Sequence, residues 1–96
     1  MDSEIQLSIQ EIVLDYEALV RFEERIITLE EIDRLDEEDS EEFLEDVERM
    51  AAKYIPNYLE ILPDRFYSPN SSTKQKAMIL SNMLQKNFKE IFYKLV

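Results

Sequence analysis

The side chains in this sequence that can do chemistry are carboxylates, lysines, serines and tyrosines. Histidine is absent, which removes the commonest general base and the commonest metal ligand. Cysteine is absent too, so disulfides and thiolate chemistry are excluded. With no glycine, phosphate-cradling loops and nucleotide fingerprints lose the residue they need on steric grounds. What remains is sparse. Glu11 and Asp15 lie four apart, a pair that is cheap in so acidic a chain. A bundle that holds two metals through inward glutamates ordinarily also uses histidine. Ser72 and Lys76 lie four apart at a helix start, where capping explains the serine without catalysis. No enzyme, no metal site and no cofactor is expected.

The densest run of titratable groups is Asp36-Glu-Glu-Asp-Ser-Glu-Glu42, six acids around one serine, with Asp33 just before it. Carboxylates bind Ca²⁺ or Mg²⁺, but an EF-hand loop needs alternating oxygens and a central glycine. Neither is present. The plain reading is a solvated turn with helix caps. The functional reading is a contact surface for a basic protein, carried by Asp33, Asp36, Glu37, Glu38, Asp39, Glu41 and Glu42.

These residues need elements to hold them, and the apolar spacing supplies helices. Ile5, Ile9, Ile12, Val13, Tyr16, Leu19, Val20, Phe22, Ile26 and Ile27 recur mainly at three- and four-residue intervals, the stripe of an amphipathic helix. Asp2 or Ser3 would cap its start. Thr28-Leu-Glu-Glu31 has the form of a capping box, so the spacing predicts a break or bend there, although a helix running through to about Leu35 fits as well. Asp39-Ser-Glu-Glu42 is a second such box, and it opens a helix whose apolar face is Phe43, Leu44, Val47, Met50, Ala51, Tyr54 and Ile55. Pro56 interrupts. Tyr58, Leu59, Ile61 and Leu62 suit a short helix, and residues 63–72 read as a loop. A third box, Ser72 with Gln75, starts a last helix from about Thr73 to Leu95.

No repeat is visible and no strand is needed. The expectation is all-α: one domain over residues 1–96, a compact antiparallel bundle of four to five helices, two long terminal ones flanking shorter middle ones. A core of this size is thin, and a partner or second copy would add stability by mass action.

Charge is segregated along the chain. Residues 1–48 hold 19 acids and 3 bases, a net of −16, and residues 49–96 hold 3 acids and 8 bases, a net of +5, giving −11 in total. Even full pairing between the halves leaves surplus acid facing outward. Such a field attracts cationic partners and repels nucleic-acid phosphate. Direct nucleic-acid binding is therefore not expected. No stretch is apolar enough to span a membrane and the start is not a secretory signal, so a cytoplasmic location is the default expectation.

Two further patches suit protein contact. Arg65, Phe66 and Tyr67 sit in the proline-flanked loop, where adjacent rings cannot easily both point inward, and these residue types anchor interfaces. Phe88, Phe92, Tyr93 and Leu95 crowd the last helix and give it a broad apolar face, which suits either deep packing or self-association. The sequence thus points to a non-enzymatic acidic helical protein that binds a basic protein partner, of inhibitor, immunity or adaptor type. The alternative is a structural module that forms a homo-oligomer, or completes a larger helical complex, through its C-terminal helix.

Overall fold

A computed structural model describes the backbone of residues 2–95 and the side chains of residues 9–95. The chain folds as a bundle of four helices: α1 (Asp2–Glu31), α2 (Glu37–Tyr54), α3 (Tyr58–Ile61) and α4 (Thr73–Leu95). The first and last are the longest, as expected. The expected caps Asp2 and Ser3, and the apolar Ile5, lie outside the described side chains.

The three long helices meet at two ends. At one, Glu30 pairs with Lys74, Arg25 with Asp39, and the Thr73 hydroxyl donates to Glu37. At the other, Lys53 pairs with Glu11 and Asp15, and Tyr16 and Tyr54 pack on Phe88. So α1 runs antiparallel to both α2 and α4, whereas α2 and α4 run parallel to each other. That parallel pair is possible because residues 55–72 carry the chain back along the bundle. Loops alone do not make this return: α3 and a 3-10 turn over Asp64–Tyr67 lie within it. The 3-10 turn falls inside the stretch that sequence patterning assigns to a loop.

Helix α1 does not break at Thr28. The amide of Ile32 still donates to the Thr28 carbonyl at 3.1 Å, and no proline or glycine interrupts the pattern. The helix ends where Asp33 turns left-handed at φ 57°. The Asp33 amide then reaches the Glu30 carbonyl at 3.1 Å, and the Arg34 amide reaches that of Leu29 at 2.8 Å. This is a Schellman ending, with an aspartate where glycine is usual.

Helix α2 starts three residues earlier than the Asp39–Glu42 box predicts. Asp36 is the cap: its side chain accepts from the Asp39 amide at 2.9 Å, and the Asp39 carboxylate accepts from the Asp36 amide at 3.4 Å. An aspartate fills the position usually held by glutamate or glutamine. Glu37, Glu38 and Asp39 then occupy the first turn, where negative charge suits the helix dipole. The Ser72–Gln75 box is present as expected, each backbone amide donating to the other residue's side chain, at 2.8 and 3.1 Å.

The core is one cluster. Leu19 and Ile26 come from α1, and Phe43, Val47 and Ala51 from α2. Ala77, Leu80, Leu84 and Phe88 come from α4, and Ile55 and Leu62 close it from the returning segment. These are the three- and four-residue stripes read from the sequence. Val13 and Ile27, counted within the first stripe, stay outside the core and partly exposed.

Candidate protein-binding surface

The acidic run is divided by the fold into acids that are used internally and acids that are not. Asp36 and Asp39 are bound into the cap of α2, and Asp39 also accepts from Arg25 at 3.1 Å. Glu42 lies 4.0 Å from the same guanidinium. Glu37 takes the Thr73 hydroxyl at the start of α4, a helix with no acid in its own first turn. Asp33 is exposed and forms the left-handed ending of α1. Glu38 and Glu41 are exposed and form no ion pair among the described residues.

Helical spacing extends those two into a row. Glu38, Glu41, Glu45 and Glu48 recur at intervals of three and four, on the side of α2 away from Phe43, Val47 and Ala51. The first three are exposed and Glu48 is half-buried. Glu45 and Glu48 are absent from the run read as a contact surface, because that reading followed density along the chain. Three-and-four spacing counted forward from Glu38 would have found them.

Arg65, Phe66 and Tyr67 form a separate surface, against α4. Phe66 packs on the core edge, with the Lys76 ammonium 5.9 Å from its ring centre. Tyr67 meets Phe66 edge-on at 5.3 Å and is 56% exposed, its hydroxyl donating to the Leu59 carbonyl at 3.0 Å. One ring faces in and one faces out. Arg65 is exposed beside a shallow groove lined with Ser71, Lys74, Gln75 and Met78. Ser71 ties the turn to the start of α4 by donating to the Arg65 carbonyl. This patch therefore lies near the same end of the bundle as the acidic cap, yet it does not merge with the α2 row.

The C-terminal residues divide similarly. Phe88 is fully buried between Tyr16, Tyr54 and Phe92, and Phe92 packs edge-on against Tyr16 at 5.4 Å. Phe88 belongs to the core, and Phe92, half-buried, packs against it. Tyr93, at 88% exposure, and Leu95 remain outside.

The residues weighed for catalysis have structural partners. Glu11 and Asp15 converge on Lys53, whose ammonium lies 3.0 Å from Asp15. The Tyr54 hydroxyl donates to the same Asp15 carboxylate. Hydrogen bonds from Lys53 to Glu11, and then to Asp15, push the lysine well above its ordinary range. Burial, and then the bond to Asp15, push the tyrosine up. Ser72 is engaged as a cap while Lys76 lies over Phe66.

Among the described residues, no group of three or more acids could hold a metal ion, and no helix is long and apolar enough to cross a membrane. No protein-family model matches this chain, and neither a curated protein nor a solved structure matches it.

Proposed function

We propose that this chain acts by binding a protein partner with a basic surface, as an inhibitor, immunity protein or adaptor does, and that the outer face of α2 is where contact occurs. The observation that supports this reading is the division of the acids. Asp36, Glu37, Asp39 and Glu42 have partners inside the fold, whereas Glu38, Glu41 and Glu45 stand in one exposed row with none among the described residues. Like charges side by side on a helix cost a few tenths of a kcal/mol per pair. A cationic partner relieves that repulsion on binding. The surrounding surplus of acid steers such a partner and speeds its encounter.

The test uses the triple variant Glu38→Gln, Glu41→Gln, Glu45→Gln and a lysate cleared of nucleic acid, with captured proteins identified at low and at high salt. The expected result is capture of a basic protein by the parent chain, weakened by salt and by the triple variant. Its association rate should fall by about tenfold or more in the variant. Unchanged capture by the variant at low salt would sink the proposal.

A further inference from the structure

The outer face of α4 carries the opposite charge. Lys86, Lys89 and Lys94 are exposed there, around Tyr93, and none forms an ion pair among the described residues. Glu90 is the one acid among them, so the patch keeps a net charge of +2. The ring of Tyr93 is 88% exposed, the largest exposure among the large apolar side chains of the described residues. An aromatic ring amid lysines, on the face turned away from Leu80, Leu84 and Phe88, has no role in the core.

We infer that this face docks a second copy of the chain, the Lys86, Lys89 and Lys94 patch of one molecule receiving the Glu38, Glu41 and Glu45 row of the next. The complementarity lies in sign. The patch and the row are on different helices and look away from the shared core, so one molecule can use both at once. The contact is heterologous, and copies join head to tail. Another acidic partner would need to approach a molecule whose total charge is −11, and so would this one. A second copy, however, brings an acidic row with every molecule.

That total charge sets an unusual salt dependence. At about 0.01 M salt the screening length is about 30 Å, and whole molecules repel. Near 0.15 M it is about 8 Å, which hides the net charge but not the facing charges. At about 1 M it is about 3 Å, and those charges are screened as well. Association is therefore strongest at intermediate salt.

The inference uses the α2 row of the proposed partner site, but it does not depend on that partner existing. Sedimentation velocity on the purified chain, at protein concentrations up to about 1 mM because so small a contact is weak, tests it directly. Two charge-swapped proteins are compared: Lys86→Glu, Lys89→Glu, Lys94→Glu, and Glu38→Lys, Glu41→Lys, Glu45→Lys. The parent should associate most at intermediate salt. Each swapped protein alone should associate at least about tenfold more weakly, and an equimolar mixture of the two should regain the parent's association. Helicity by circular dichroism checks folding, and the triple lysine-to-glutamine protein repeats the test if a swap unfolds. A parent that stays monomeric at every salt, or a lysine-swapped protein that associates like the parent, overturns the inference. Because the lysine swaps leave the α2 row intact, capture of a basic partner by that protein separates failure here from failure of the proposed function.

Discussion

The two long helices, α1 and α4, are held in the bundle by different chemistry. Helix α4 buries Ala77, Leu80, Ser81, Leu84 and Phe88, an unbroken stripe along most of its length. Helix α1 is longer by seven residues, yet among its described side chains only Leu19 and Ile26 are buried. Polar ties do much of the rest. Asp15 and Glu11 reach Lys53, Asp15 accepts from Tyr54, Arg25 reaches Asp39, Glu23 takes the Gln85 amide, and Glu30 takes Lys74. Burial does not weaken as simple salt is added, whereas exposed ion pairs contribute about 0.2–1 kcal/mol each and weaken as salt rises. The parallel α2–α4 pair should therefore be the stable part of the molecule, with α1 as the element that opens first.

Truncating the α4 stripe should have the largest effect. Phe88 is fully buried and contacts the rings of Tyr16, Tyr54 and Phe92. Phe88→Ala should cost about 3–5 kcal/mol, from lost transfer energy and the cavity left behind. In a bundle this small that is a large share of the total stability, and denaturant melts should show it. Hydrogen exchange should speed up in all three long helices together. Protection that fell in α4 alone would refute the view of α4 as the shared spine.

Opening α1 by itself should need less. Asp15→Ala removes the acceptor for the Tyr54 hydroxyl and one of the two carboxylates that hold the Lys53 ammonium. The expected cost is about 1–2 kcal/mol, since the site is partly exposed. Here exchange should speed up in α1 while α2 and α4 keep most of their protection. Equal loss in all three helices would show that the contrast between the helices is wrong.

The same cluster gives the contrast a pH dependence. Lys53 is raised by Glu11 and then by Asp15, and Tyr54 is raised by burial and then by Asp15. A group whose folded value is raised contributes fully below its unfolded value, about 10 for tyrosine and 10.4 for lysine, and less as pH climbs beyond it. Stability should be level on the alkaline side of neutrality up to about pH 10, and should then fall. Tyr54→Phe keeps the burial and loses the proton, so its decline above pH 10 should be shallower than the parent's. A decline of unchanged steepness would remove Tyr54 from the account.

The contrast also explains what the sequence does and does not disclose. The core stripes were legible because Leu19, Ile26, Phe43, Val47, Leu80, Leu84 and Phe88 repeat at helical spacing, and burial follows that spacing. The start of α4 was legible because Ser72 and Gln75 satisfy each other locally. The Thr28 box misled, since a capping pattern inside a continuous apolar stripe has no power to stop a helix. The parallel course of α2 and α4 was not legible either, because it depends on how far the returning segment travels, and that is set by tertiary contacts. Which acids remain free is likewise a tertiary matter. Arg25 lies fourteen residues before Asp39, and Thr73 lies thirty-six after Glu37, so no local pattern separates the used carboxylates from the row at Glu38, Glu41 and Glu45.

The smallest effect should come from the end of α1, and it should be a gain. Asp33 is the one described residue with positive φ, at 57°. A Cβ costs energy in that region, although aspartate tolerates it better than most. Its charge is also misplaced. The C-terminal turn of a helix favours cations, yet α1 has no base in its last turn, and Glu30, Glu31 and Asp33 crowd there. Asp33→Gly removes the Cβ and the charge together, and should stabilise the protein by about 0.5–1 kcal/mol net of the extra freedom of glycine in the unfolded chain. Asp33→Asn removes the charge and keeps a side chain suited to the left-handed region, which separates the two contributions. If asparagine recovers most of the gain, repulsion at the helix end dominates; if only glycine does, the backbone dominates. A loss of stability with both would mean that the Asp33 carboxylate holds the turn, and that α1 is secured at this end by more than Glu30 and Arg25.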